Sequence, residues 1–454
     1  MEVILKEKEA GDWVYRGEGA ANLVLSYIGS SPTFIGKVMR IRKASRNDSL
    51  TEISTSPSAL TAQERYLWKD VDELISSPDN EIASQLFVLH VMKPLLGSKF
   101  VDAGMHVQVT RGFFESVEKN VILQRPAWRV DTAQVDMRCD YVLVMSDHSL
   151  FDHGNLESSP CISVEIKPKC GFLPVSRFVS EETAIKKRVT RFEMHQALKL
   201  NQGEISLPSE YNPLDLFSGS KERIHKAIKD LFTTPQNNFR VFMNGSLIFG
   251  GLGGGAEDTN LCIAKAFEGA LKSIVQGDDG LCTENFLTLV AEAAHNSGVL
   301  DRLLEVQKLD DVDIEGAIHA YYDITHQQCM VCTELNKDQM KTYAPLHSAS
   351  LDESLKIVKD YLIAATSKDC SLMICFRPGK EVNLGSAWNN VYLESTKQTF
   401  DFKSDAVSPL IFVFFISQAI ATDVIPSLSY QRYHRSLLSM VTRATISKKV
   451  MVQT

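Results

Sequence analysis

The sequence lacks an apolar run long enough to cross a bilayer as a helix. Its longest, LIFVFFISQAIA at 410–421, has about 12 residues against the ~20 that a helical span needs, and it reads as a buried segment. It also lacks any excess of positive charge. With 48 Lys and Arg against 56 Asp and Glu, the net charge is −8, which excludes a general nucleic-acid or membrane-surface binder. One concentrated cationic pocket remains compatible with that balance. Nine cysteines spread unevenly over 454 residues do not form a disulfide framework. The opening MEVILKEKEAGDW carries acidic residues and no apolar stretch, so no secretory signal is expected. These absences point to a reducing compartment: cytoplasm, nucleus or both. Two catalytic signatures are missing as well. There is no Gly-x4-Gly-Lys-Ser/Thr loop, and neither the His-Arg-Asp nor the Asp-Phe-Gly of protein kinases.

The length suits two or three domains or lobes. Residues 13–28 read as strand, glycine turn and strand, and 34–42 as a further strand. Residues 43–62, rich in Ser, Thr and Asn, read as a loop, and 80–96 as a helix. Residues 104–110, 119–123, 141–145 and 162–167 are strand-like. From 181 the period becomes helical: Ile185, Val189, Phe192 and Gln196 mark one side, and Arg188, Arg191, His195 and Lys199 form a neighbouring basic stripe. Helices follow at 221–232, 284–309 and 313–324, with a strand at 239–249 and a glycine-rich loop at 250–258. Ser350 with Glu353 opens a helix reaching about 366, and 371–376 is a strand. The order, strands giving way to helices, predicts an α+β fold.

Five constellations carry chemistry. In the turn from Gly17 to Asn22, small residues let backbone N–H groups approach phosphate oxygens, and Arg40 on the next strand offers a cation to the same space. Glu165 and Lys167, two apart, share one face of a strand, and Lys169 follows a stiffening proline. The basic helix stripe, with Asn237, Asn238 and Arg240 at the entry to a strand and Arg125 and Arg129 elsewhere, supplies directional phosphate donors. His319, Cys329, Cys332 and His347 can complete a tetrahedral set around one ion, with His326 a competing ligand. With no open position, such a zinc is structural. Asp369, at a helix-to-strand junction, can accept a hydroxyl proton. Each has a plain counterpart: a hairpin, a solvated edge strand, a solvated helix face, free cysteines or a turn carboxylate.

The motifs RGEGAANLV at 16–24, GKVMRI at 36–41, QRPAWRV at 124–130, SVEIKPKCGFLP at 163–174, TPQNNFRVFMNGSLI at 234–248, SGVLDRLLEVQKLD at 297–310 and LDESLKIVKDYLIAATSKDCSLMI at 351–374 together resemble the inositol-pentakisphosphate 2-kinase family, plant members closely. The resemblance spans about residues 1–403. It implies a two-lobed, protein-kinase-like fold: an N-terminal lobe at 1–147, an inositide-binding lobe at 148–403, and a divergent tail at 404–454. It implies ATP-dependent phosphorylation of the 2-hydroxyl of inositol 1,3,4,5,6-pentakisphosphate to the hexakisphosphate, phytate, by a monomer. ATP, with Mg2+ bridging its phosphates, is then contacted by Gly19, Ala20, Asn22, Val24, Arg40, Asp147, His148, Glu165 and Arg240. Arg129, Lys169, Lys199 and Asn237 grip the inositide, Lys167 bridges donor and acceptor phosphates, and Asp369 is the base. His319, Cys329, Cys332 and His347 match the zinc ligands of plant members.

After Lys403 the chain departs from the family, whose members carry there a magnesium-holding aspartate and substrate-binding Lys, Arg and Tyr. Asp405 is a poor positional substitute, and the tail shows no helical or strand pattern matching a catalytic lobe. Two other readings follow: a catalytically impaired inositol-phosphate-binding form, and a zinc-stabilised interaction module resting on Cys329 and Cys332 alone.

Overall fold

The computed structural model describes residues 4–19, 21–46, 60–150, 160–250, 261–272, 281–378, 398–399 and 410–418. It is a mixed α+β structure with two sheets. The first contains β1 (Ile4–Leu5), β2 (Trp13–Glu18), β3 (Asn22–Tyr27), β4 (Lys37–Ser45), β5 (Met105–Val109), β6 (Ala133–Val135) and β7 (Tyr141–Ser146). Their order is β1-β5-β7-β4-β3-β2, with β6 pairing off β4. The second contains β8 (Ile162–Ile166), β9 (Phe239–Met243), β10 (Ser246–Phe249), β11 (Cys370–Pro378), β12 (Gln398–Thr399) and β13 (Leu410–Gln418), in the order β10-β9-β8-β11-β13-β12.

Each sheet builds its own apolar core, because alternate residues along a strand reach the same face. In the first, Leu23, Leu25, Met39, Ile41, Val107, Val109, Val142 and Val144 form one buried cluster with Phe113, Phe114, Val117 and Val121. Those last four sit on the helix Arg111–Val121, where 119–123 was expected to be a strand. Their spacing is helical, Thr110 caps the start by accepting from the Phe113 N–H, and all four are fully buried. At about 1.5–3 kcal/mol each, that burial outweighs the β propensity of the short Val121-Ile122-Leu123 run.

The second core joins Ile162, Val164, Ile166, Phe239, Val241, Leu372, Ile374 and Phe376 to the helices Lys221–Thr233, Cys282–Asn296, Val299–Gln307 and Leu351–Ser367. Here β8 lies between β9 and β11, so the Glu165–Lys167 segment is central and not a solvated edge.

Three expected elements divide. The stretch 239–249 is a hairpin, β9 and β10, turned at Asn244 and Gly245 with φ of 46° and 80°. An Asn-Gly pair is suited to those left-handed positions. The helix expected over 284–309 breaks at Gly298, φ 71°. Residues 181–187 form a separate 3-10 segment, and Thr190 with Glu193 makes a reciprocal capping box that starts a new helix, Arg191–Asn201. Arg188 therefore precedes that helix and does not share its stripe.

The apolar run near the end, expected to be buried and patternless, supplies β13, which pairs antiparallel with all of β11 from Cys370↔Gln418 to Pro378↔Leu410. The 250–258 loop and Asp405 lie outside the described residues. No helix among the described residues is long and apolar enough to cross a membrane.

Candidate functional site

The expected nucleotide residues sit where the two sheets approach each other. Val24 on β3 is in register with Arg40 on β4, and Glu165 on β8 with Arg240 on β9, where the pair closes to 3.3 Å. Arg40 is half-buried. Burial lowers its pKa, with Glu165 and Glu81 drawing it back up, so its charge lies within electrostatic reach of Glu165 across the gap between sheets.

Gly19 follows β2 directly, and its N–H closes the hairpin on the Asn22 carbonyl at 2.9 Å. Ala20 lies outside the described residues. Beneath the turn is a dry ionic cluster that the sequence did not suggest. Glu18 accepts two bonds from Arg125, at 3.0 and 3.2 Å, and one from Lys43, which also donates to the Gly19 carbonyl at 2.6 Å. All three side chains are at most 2% exposed. Burial pushes the Glu18 carboxyl up, but the bonds from Arg125 and Lys43 outweigh it and hold it below the usual carboxylate range. Arg129 shares this neighbourhood. Tyr15 is pushed up to about 12 by burial and by Glu18, with Arg125 and Arg129 opposing, and the Arg129 guanidinium stacks on Trp128 at 4.0 Å.

Asp147 and His148 follow β7 and are both buried. The Asp147 carboxylate accepts from the Ser149 N–H at 3.0 Å, and His148 Nε2 lies 3.3 Å from Asp102.

The expected inositide residues come from separate elements. Lys169, in the loop after β8, has a left-handed φ of 62° and reaches Asp369 at 3.5 Å. Asp369 stands exposed between the helix Leu351–Ser367 and β11. Burial lowers the Lys169 pKa, with Asp369 opposing and Lys167 and Arg191 adding to the depression. Nearby, His195 is pushed down to about 4 by burial and by Arg191, Lys169 and Lys199. One imidazole therefore lies within electrostatic reach of three cations, two from the helix Arg191–Asn201 and one from the β8 loop.

The turn before β9 is held to the same helix by a reciprocal amide pair, Gln196 with Gln236 at 3.0 and 2.8 Å. That places Asn237 next to Asn238, whose carbonyl accepts from the Lys167 N–H at 2.9 Å. Arg191 belonged to the expected stripe but not to the expected site. Gln196, Gln236 and Gln307 are supports that no local motif signals.

The four expected metal ligands converge. Their donor atoms lie within 4.8 Å of one another: His319 Nδ1 is 3.0 Å from His347 Nε2, 3.3 Å from Cys329 Sγ and 3.5 Å from Cys332 Sγ. Bonds of about 2.0–2.3 Å to one zinc give edges of about 3.3–3.8 Å in a tetrahedron, so the donor set fits such an ion with shifts of a few tenths of an ångström at these pairs. His347 Nδ1 meets Asp323 at 2.9 Å, the outer carboxylate that orients ligating histidines. His326 is exposed and outside the group.

Against known sequences, the profile described as inositol-pentakisphosphate 2-kinase matches residues 15–407. The chain belongs to the inositol-pentakisphosphate 2-kinase family. It is 56% identical over 404 residues to the inositol-pentakisphosphate 2-kinase of Arabidopsis thaliana, covering 89% of each chain. To that of Oryza sativa subsp. indica it is 50% identical over 407 residues, again 89% of each. A more distant member from Danio rerio is 30% identical over 442 residues, covering 83% of this chain and 85% of the relative. The family match runs past Lys403, where the sequence begins to depart from the expected pattern.

Proposed function

We propose that this chain transfers the terminal phosphoryl group of ATP to the 2-hydroxyl of inositol 1,3,4,5,6-pentakisphosphate, giving ADP and inositol hexakisphosphate. The observation that carries this reading, in a member of this family, is the Lys169–Asp369 pair at 3.5 Å with Lys167 and Arg191 in electrostatic reach of it, and with Arg191, Lys169 and Lys199 all in reach of His195. Such a concentration of cations matches a substrate bearing five phosphates better than any neutral sugar or protein hydroxyl. The chain then has a protein-kinase-like architecture: residues 1–147 form the N-terminal lobe, 148–403 the inositide lobe, and 404–454 the ending that adds β13 to the second sheet.

In this reading Arg40, Glu165 and Arg240 border the nucleotide, with Gly19, Ala20, Asn22 and Val24 over its phosphates and Asp147 and His148 at the connection between lobes. Magnesium bound with ATP would supply neutralisation of the charge that develops on transfer. Lys169, Lys199, Asn237 and Arg129 hold the phosphates of the inositide, and Lys167 spans donor and acceptor. The 2-hydroxyl oxygen attacks the terminal phosphorus, its proton passes to the Asp369 carboxylate, and the bond to the ADP oxygen breaks. Lys169 pairs with that carboxylate at 3.5 Å. Positioning and charge neutralisation supply most of the rate. His319, Cys329, Cys332 and His347 would hold a structural zinc. Neither the catalytically impaired form nor the bare zinc module is favoured. The family match continues to residue 407, and a zinc module leaves the gathered cations unexplained.

The test is conversion of inositol pentakisphosphate by the purified 454-residue chain with ATP and Mg2+, followed by anion-exchange chromatography, alongside Asp369→Asn. The variant should lose about 100- to 10,000-fold in kcat while its calorimetric Kd for the pentakisphosphate stays within a few-fold. No hexakisphosphate from the parent chain, or full turnover by Asp369→Asn, refutes the reading.

A further inference from the structure

Gln307 closes the helix Val299–Gln307 and is wholly buried. A buried primary amide must place both its oxygen and its N–H groups, or it costs stability. Here its Oε1 accepts from the Gly171 N–H at 2.8 Å, and its Nε2 donates to the Lys169 carbonyl at 2.9 Å. The same Nε2 lies 3.5 Å from the carbonyl of Ser367, two residues before Asp369. One side chain thus touches both the loop that carries Lys169 and the helix end that precedes Asp369 by two residues.

That loop needs holding. Lys169 adopts a φ of 62°, a left-handed conformation that is unfavourable for a residue with a Cβ. From the other side the buried Tyr211 hydroxyl donates to the Pro168 carbonyl at 2.7 Å. Gly171 cannot retreat into a side chain of its own, since a Cβ there would lie 2.3 Å from the Phe217 ring.

We infer that Gln307 is a positioning residue for the transfer step, setting the Lys169 ammonium and the Asp369 carboxylate at their working separation. The inference rests on the proposed roles of those two residues. Glutamine suits the place because one planar group offers a donor and an acceptor on adjacent edges. A glutamate would set an oxygen against the Lys169 carbonyl, and a methionine would meet neither partner.

The test is a double-mutant cycle on the full chain, reading kcat and both KM values. Gln307→Met should lower kcat about 10- to 100-fold, the loss expected of a misplacement near 1 Å, with the KM for ATP changed less than about threefold. Made on top of Lys169→Ala, it should cost little further, because without the ammonium there is no Lys169–Asp369 separation left for Gln307 to set. Tyr211→Phe, which removes a single hydroxyl from the opposite side of the loop, should follow the same pattern and serves if Gln307→Met does not fold. Full additivity with Lys169→Ala overturns the inference and marks Gln307 as a purely structural residue. Unchanged kcat in Gln307→Met overturns it directly. Unchanged kcat in Lys169→Ala instead sinks the assigned role of Lys169 and takes this inference down with it.

Discussion

Replacing Glu18 by glutamine should cost the folded state about 4 kcal/mol. The Glu18 carboxylate receives three bonds from Arg125 and Lys43, and every side chain in that cluster is at most 2% exposed. The substitution keeps the shape but leaves two buried cations facing a neutral amide that must turn one N–H toward them. Glu118, 3.3 Å from Arg125, remains and balances only one of them. Removing one partner of a buried pair costs about 3–5 kcal/mol because the other charge stays behind uncompensated. The measurement is urea unfolding at neutral pH, monitored by fluorescence and circular dichroism together. A second readout tests the position of the cluster. Because Lys43 also holds the Gly19 carbonyl, the KM for ATP should rise by more than the KM for the inositide. The pH dependence of the parent chain has a determined sign. The Glu18 carboxyl is held low in the folded state, so its stabilisation is present above the ordinary glutamate pKa and is lost as pH falls below it. A loss under 1 kcal/mol in Glu18→Gln, or no change in the acid limb of the stability curve, refutes this account.

His195, ordinarily near 6.5 and here pushed down to about 4, resists protonation in the folded chain but not in the unfolded one. Stability should therefore fall as pH drops from 6.5 toward 4, by at most about 3 kcal/mol before solvent screening. His195→Gln should flatten that slope in urea melts between pH 5 and 7; an unchanged slope would rule the histidine out as its source. Chelation of bound metal should lower the melting temperature and expose two further thiols, Cys329 and Cys332, to a thiol reagent. Tyr343 stacks on His319 at 4.0 Å and donates to the Phe178 carbonyl at 3.1 Å, so amide exchange should also quicken round Phe178. If thiol count and melting temperature both stay put, the four residues hold no structural ion.

Much of the candidate site could be read from local pattern. Glu165 and Lys167 could be placed together by the two-residue period, with Lys167 just past the end of β8, and the four clustered residues that could hold a metal could be named from Cys-x2-Cys with two flanking histidines. Strands β3, β4 and β8 were each expected from short strand-like stretches of sequence. These are short-range features, set by backbone geometry over a few residues. Where the reading missed, long-range packing or caps had overridden local preference. Burial of Phe113 and its helical neighbours decided the helix Arg111–Val121, and the Thr190–Glu193 box cut one expected helix in two.

The amino-acid order alone therefore determined which residues carry charge, sulfur or imidazole, and the family that their motifs match. Only the folded chain decided that Gln307 bonds to Lys169 across 138 positions and that Glu18 meets Arg125 across 107. It also placed the apolar run at 410–418 beside β11. A hydrogen bond or a buried ion pair needs two groups at about 3 Å with water excluded, and sequence separation says nothing of that distance.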